Sequence, residues 1–280
     1  MILRWATVAL LLGAAATENF AVTNTAAEAE NEGRELARQL CELQPVESFT
    51  NASSLIIQPA RGKGGRREIP LRTVNTVTAT NWIIVYESLP NTNAPDCERL
   101  SVIHTGAEPN EYSLTYLQTN GGVEVAFGTN GVKIARQGSL DVCRAFLSFD
   151  AQRQPVGTLT MHPFAHSDFW LADLGLEFLH WPAQKVLKKE LKKGQSCAVL
   201  ESCIAELATN GYSRVVSWID IDTGGIVQAE AYDAKGKLLK EFEVKELEKI
   251  NGRMEVSEIQ MRNVQTGSRT LLRFKFEKRK

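Results

Sequence analysis

The chain has 280 residues, 43% of them hydrophobic, and a formal net charge of −1 from 32 basic and 33 acidic side chains. That apolar share can fill a real core, which excludes a disordered chain. The even charge balance excludes a general nucleic-acid binder, which carries a basic excess.

Residues 1–4 hold one positive charge, and residues 5–16 (WATVALLLGAAA) form an uncharged apolar run. The run suits the core of a secretory signal and is too short to span a bilayer. Small residues place cleavage after Ala16 or Ala21, so residues 1–21 are read as a signal peptide and 22–280 as one exported domain. Export permits disulfides among Cys41, Cys97, Cys143, Cys197 and Cys203. Cys197 and Cys203 are the easiest pair to imagine, although spacing does not fix pairing, and an odd count leaves one over.

An amphipathic helix is expected over residues 26–43, with Ala29, Gly33, Leu36, Ala37, Leu40 and Cys41 on one face and a Glu30–Arg34 pair on the other. Pro45 ends it. Gly62-Lys-Gly-Gly-Arg-Arg lacks the spacing of a phosphate loop and reads as a hairpin tip. Strands follow at 82–87, 99–104, 112–118 and 123–127, separated by glycine and asparagine turns. Residues 140–149 fit a helix or a strand equally, and 157–161 is a short strand.

Residues 167–182 (SDFWLADLGLEFLHWP) concentrate eight large apolar side chains. Ser167 or Asp168 would cap a short helix with Leu171, Leu174 and Phe178 on its apolar face. So many apolar groups, at ~1.5–3 kcal/mol each when buried, need an apolar partner surface. Five lysines and one glutamate then occupy 185–193. Together with the basic residues of 61–72 they are read as solvated strips or as contacts for an anionic surface. Six strands close the chain: 195–201, 212–220, 226–232, 238–247, 254–262 and 269–276. Turns such as Asp222-Thr-Gly-Gly and Asp233-Ala-Lys-Gly make those from 212 onward an antiparallel meander. Leu272, Phe274 and Phe276 alternate with Arg273, Lys275 and Glu277, so one face is dry.

Chemical motifs are sparse. His162-Pro-Phe-Ala-His166, with Asp168, Asp173 and His180 nearby, offers the spacing of a metal site. Pro163 between the histidines and the lack of a glutamate beside His162 favour ordinary loop histidines. His104 reads as a satisfied or outward-facing strand residue. No nucleophile elbow or phosphate loop occurs, and no cofactor is expected.

The segments Val216-Ser-Trp218-Ile-Asp, Ala229-Glu-Ala-Tyr232-Asp-Ala-Lys-Gly236, Asn251-Gly252-Arg253 and Arg262-Asn-Val-Gln-Thr-Gly267 resemble the LolA-like outer-membrane lipoprotein-sorting family. Trp181-Pro182 and Cys197-Ala-Val-Leu-Glu-Ser extend the likeness over about residues 165–278. The resemblance implies a mainly β fold with a few helices, a curved antiparallel sheet or incomplete β-barrel with a helical lid. It implies a periplasmic carrier that holds acyl chains of lipoproteins or lipids and passes them to a membrane-bound acceptor. The expected cavity and lid residues are Trp82, Ile84, Tyr86, Trp170, Leu174, Phe178, Trp181 and Trp218. A metal-dependent hydrolase using His162 and His166, and a ligand-free envelope adaptor, are the alternatives.

Overall fold

A computed structural model describes residues 25–90, 97–118, 121–128, 131–138, 159–204, 211–250 and 253–276. The expected signal peptide, the 140–149 segment and Cys143 lie outside the described residues.

Helix α1 (Ala26–Glu42) begins where Thr25 and Glu28 exchange side-chain hydrogen bonds with each other's backbone N–H, at 3.3 and 2.7 Å. This reciprocal cap satisfies two otherwise orphaned donors. Ala29, Gly33, Ala37 and Leu40 form the buried stripe, and the Glu30–Arg34 pair sits on the wet side. A Cβ on Gly33 would lie 2.4 Å from the Lys185 backbone nitrogen, so only glycine lets the helix press this closely onto a strand.

Seven strands form a first meander: β1 (Phe49–Gln58), β2 (Arg67–Val77), β3 (Trp82–Ser88), β4 (Cys97–Thr105), β5 (Glu108–Gln118), β6 (Gly121–Gly128) and β7 (Gly131–Gly138). Seven more form a second: β8 (Ala183–Lys192), β9 (Gln195–Cys203), β10 (Tyr212–Asp220), β11 (Ile226–Asp233), β12 (Leu238–Ile250), β13 (Arg253–Asn263) and β14 (Arg269–Lys275). Every pairing is antiparallel. The meanders fuse where β1 pairs with β14, Leu55 opposite Leu272. The sheet therefore runs from β7 at one edge to β8 at the other and does not close on itself among the described residues.

Strands that follow each other in sequence, β7 and β8, thus lie at opposite edges of the sheet. The described part of the chain between them is a plug, residues 159–181, with a one-turn helix α2 (Leu171–Gly175) and two 3-10 turns, Phe164–His166 and Glu177–His180. The plug also reports the curl. Tyr112 on β5 and Tyr212 on β10 stand nine strands apart in the sheet, roughly 43 Å if it were flat. Yet Tyr112 meets Gly175 and Tyr212 bonds Asp173, both on α2. Only a strongly curved sheet brings them together.

Inside the curl, one apolar cluster joins β1–β6, β13 and β14 to the plug through Leu55, Ile84, Leu100, Leu114, Phe169 and Leu171. A second joins α1 and β8–β11 to the plug through Leu40, Leu179, Trp181, Leu200 and Val215. A third, around Trp218, covers the opposite face of β9–β11.

The sequence expectation of a mainly β, curved and incomplete barrel holds, and all six C-terminal strands form within a few residues of their expected bounds. The glycine-rich stretch at 62–65 is the β1–β2 hairpin tip. Strands β1, β2 and β7 were not marked in the sequence, and the basic run at 185–193 turned out to be edge strand β8. Its lysines fit an edge, where charge discourages pairing with another chain. The plug helix is capped at Trp170 instead of Ser167 or Asp168, and it breaks at Leu176, which takes a left-handed conformation (φ 51°).

Candidate ligand-binding site

Two apolar cavities adjoin beneath the plug. One, about 30 Å³, is lined by Phe178, Tyr212, Val215, Lys240 and Met261; the other, about 40 Å³, by Tyr86, Phe169, Leu174, Val256 and Phe274. Asp173, Leu176, Ile226 and Phe242 belong to both and form the partition. Each space has room for a water molecule, not for an alkyl chain. The site in this state is filled by its own plug.

The plug breaks at Leu176 for a non-local reason. A Cβ on Gly175 would lie 2.3 Å from the Tyr112 hydroxyl, so the chain passes the β5 wall only at a glycine. Asn110 donates to the Gly175 carbonyl at 2.7 Å and the Tyr112 hydroxyl donates to Glu177 at 2.5 Å. Burial holds the Glu177 carboxyl above the usual range, although these two side chains pull it down. Further along, the Gln184 amide donates to the carbonyls of Phe178 and Trp181 at 2.9 Å each, and Ser202 fixes that amide from behind at 2.7 Å. At the start of the plug, Glu98 accepts from the Ala165 N–H at 2.8 Å. Asp168 accepts from Ser268 at 2.6 Å and from Thr270 at 2.8 Å.

One charged group stands on the sheet side. Lys240 of β12 has a side chain 1% exposed, and its Nζ lies 3.3 Å from Asp173 Oδ2. The Tyr212 hydroxyl donates to the other Asp173 oxygen at 2.8 Å, and the Trp170 N–H donates to Oδ2 at 2.7 Å. Trp170 and Tyr212 stack with ring centroids 4.7 Å apart, and Nζ sits 3.5 Å from the Trp170 centroid. This is a cation held by a carboxylate and an aromatic face. Burial lowers the Lys240 ammonium to about 8, against the pull of Asp173.

Of the eight residues singled out in the sequence, Tyr86, Leu174 and Phe178 line these cavities, and Trp82, Ile84, Trp170 and Trp181 pack in or against the two inner clusters around them. Trp82, Ile84 and Tyr86 point inward from β3, each at most 2% exposed, while Ile83 and Val85 take the other face. Trp170, Leu174, Phe178 and Trp181 come from the plug. Trp218 does not join them: it lies on the opposite face of β10, where its indole donates to Glu190 at 2.6 Å. His104 departs from expectation too. It is buried and stacks on Trp82 at 3.8 Å, and its Nε2 has no partner. Leu100, Val102 and His104 alternate on one strand face, which carries the histidine inward. Burial lowers it to about 2, so it is neutral.

His162 is hydrogen-bonded to the Tyr116 hydroxyl at 2.8 Å. Among the described residues no group of three or more His, Cys, Asp or Glu is placed to hold a metal. Cys41, Cys97, Cys197 and Cys203 carry free thiols. Cys197 and Cys203 fall six residues apart on one extended strand, ~20 Å by strand rise, which no disulfide spans. Sequence reasoning missed Lys240. The available signal was its place two and four residues before Phe242 and Val244, which line the same cavities.

A family model described only as "Uncharacterized protein" matches residues 152–278. No curated protein matches by sequence. Solved structures do. A domain described as outer membrane lipoprotein-sorting, from Vibrio parahaemolyticus, aligns with TM-score 0.60 at 17% identity over 88% of this chain and 92% of its own. A DUF1329 family protein from Desulfovibrio piger gives 0.53 at 17% identity, covering 88% and 91%. A LolA superfamily protein from Nitrosomonas europaea gives 0.52 at 14% identity, covering 90% and 94%. At these identities the likeness is one of fold.

Proposed function

We propose that this chain, which has the LolA-like fold, is an exported carrier that shelters acyl chains of lipids or lipoproteins in the curl of its sheet. The observation that carries this reading is the pair of apolar cavities, parted only by a few side chains and roofed by a plug whose contacts reach from β5 to β10. The mechanism is non-covalent. Each methylene moved from water into such a space contributes about 0.8 kcal/mol. Because the observed cavities are small, the plug must lift, and the chain then takes the places of Phe169, Leu174, Leu176 and Phe178. The expected signal peptide at 1–21 supports a periplasmic location, and the lipoprotein-sorting description of the Vibrio relative supports the same cargo class.

The test is native mass spectrometry of detergent-free protein, paired with uptake of a fluorescent fatty acid. Co-purified lipid or saturable uptake is expected, and uptake should vanish when Trp170 and Phe178 are made polar while cooperative unfolding persists. A clean apo mass with no uptake would overturn the reading. A second reading, an envelope adaptor whose core stays shut, has one observation in its favour. The plug is fastened by Glu98, Asn110, Tyr112, Asp168 and Gln184 along its whole length.

A further inference from the structure

The floor of the site carries a charge that a carrier of neutral chains has no use for. Among the described residues, Lys240 is the one lysine or arginine on the walls of the two cavities. Its counter-ion is divided from it by the moving boundary: Lys240 belongs to β12 of the sheet, Asp173 to α2 of the plug. The other acid whose charge acts on Lys240 among the described residues, Asp168, is also on the plug and is occupied by the hydroxyls of Ser268 and Thr270.

Consider what lifting the plug does. It exposes apolar wall on which an alkyl chain can lie, and in the same movement it withdraws the Asp173 carboxylate from Lys240. An ammonium left in an apolar pocket without a partner is strongly disfavoured. Opening therefore goes uphill unless something arrives with the missing negative charge. The surroundings suit such an arrival. The Tyr212 hydroxyl that now serves Asp173 is a hydrogen-bond donor beside the ammonium and, like Lys240, stays with the sheet. Beside Asp173 the ammonium, lowered only to about 8, is charged at neutral pH, and an arriving anion restores the partner that keeps it so.

We propose that Lys240, with the Tyr212 hydroxyl, is a headgroup site, and that the ligand is an anionic amphiphile: an alkyl chain bearing a carboxylate or a phosphate that replaces Asp173 as the plug lifts. This rests on the carrier reading and narrows its cargo. Neutral acyl chains would be held by the walls alone and would have to open the plug against the stranded charge.

The experiment measures binding of dodecanoate, dodecyl phosphate and dodecanol to the full chain by titration calorimetry at neutral pH. The wild type is expected to bind the better anion at least about tenfold more tightly than dodecanol. Lys240→Met should bring that ratio to within about twofold while dodecanol still binds. Asp173→Asn, which frees Lys240 of its rival anion, should tighten dodecanoate or dodecyl phosphate binding. The gain is read against dodecanol, which a merely loosened plug would help equally, so it keeps the test valid should Lys240→Met fail to fold. Which anion wins separates a fatty-acid carboxylate from a phosphate headgroup. Equal binding of all three ligands, a ratio unchanged in Lys240→Met, or no gain in Asp173→Asn would overturn the headgroup site and leave the carrier reading standing. No binding of any of the three would overturn both.

Discussion

Two tryptophans in this protein sit under a lysine and beside a carboxylate, one on each face of the second meander. On the inner face Lys240 lies 3.5 Å from the Trp170 ring, with Asp173 as its partner. On the outer face Lys192 lies 4.3 Å from the Trp218 ring, while Glu190 takes the indole N–H and pairs with Lys188 at 2.7 Å. The ingredients match and the consequences do not. Water reaches the outer group: its hydrogen bonds with Lys188 and Trp218 lower the Glu190 carboxyl, as for a well-solvated pair. Inside, burial outweighs the pairing and lowers the Lys240 ammonium. Solvent access, not residue identity, decides whether such a trio is a surface patch or a constraint on the fold.

The contrast breaks most sharply at Asp173. Asp173→Ala strands Lys240 and should lower unfolding free energy by about 3–5 kcal/mol in urea melts. Adding Lys240→Met should recover most of that, since two apolar groups replace a buried pair. A loss below about 1 kcal/mol would mean that water reaches the inner pair as well. Next in size is Gly175→Val, which drives a side chain into Tyr112 and should cost about 1–3 kcal/mol by overpacking. It should also speed uptake of a fluorescent fatty acid by easing the plug off β5; unchanged uptake would detach that contact from gating.

Acidity sharpens the same comparison. Because burial raises the Glu177 carboxyl, the folded state binds its proton more tightly than the unfolded chain does. The stability this group adds is full in acid and fades as pH rises through the raised value. Glu177→Gln should therefore gain on the wild type as pH rises above about 4.5, and a constant gap would show the carboxyl to be solvated. Smallest of all, Lys192→Ala on the outer face should change stability by less than about 1 kcal/mol and leave ligand uptake alone. A larger effect would make the two faces alike.

Much of the second meander could be read from its sequence because its turns are short and its strands alternate. Asp222-Thr-Gly-Gly and Asp233-Ala-Lys-Gly leave room for little but a reversal, and Gly224 and Gly236 do adopt positive φ (71° each). Edge strand β8 escaped for the converse reason. Its exposed lysines hide the period-two signal, and what marks it as a strand is its pairing with β9. The plug was legible as an apolar segment needing a partner, but its break at Leu176 follows from Tyr112, some sixty residues earlier. Trp82, Ile84 and Tyr86 were found because alternation groups them. The same alternation named no face, and Trp218 shows how an aromatic on a strand apolar on both sides can fall on the outer one. Lys240 was passed over because a lysine in a charged strand looks solvated until the curl is known.

The joint between β1 and β14 has a consequence for how the molecule comes into being. Leu55 and Leu272 meet across almost the whole length of the chain, so the central seam of the sheet forms only once the last strand is available. Until then the first meander presents β1, ten residues long with five consecutive buried positions, as a bare edge. Contacts this remote slow folding, and a naked apolar edge is what recruits other chains. A ribosome or translocation channel releasing this protein from its N-terminus holds back its keystone to the end. A chain that stops short of residue 269 leaves the arch open at its crown.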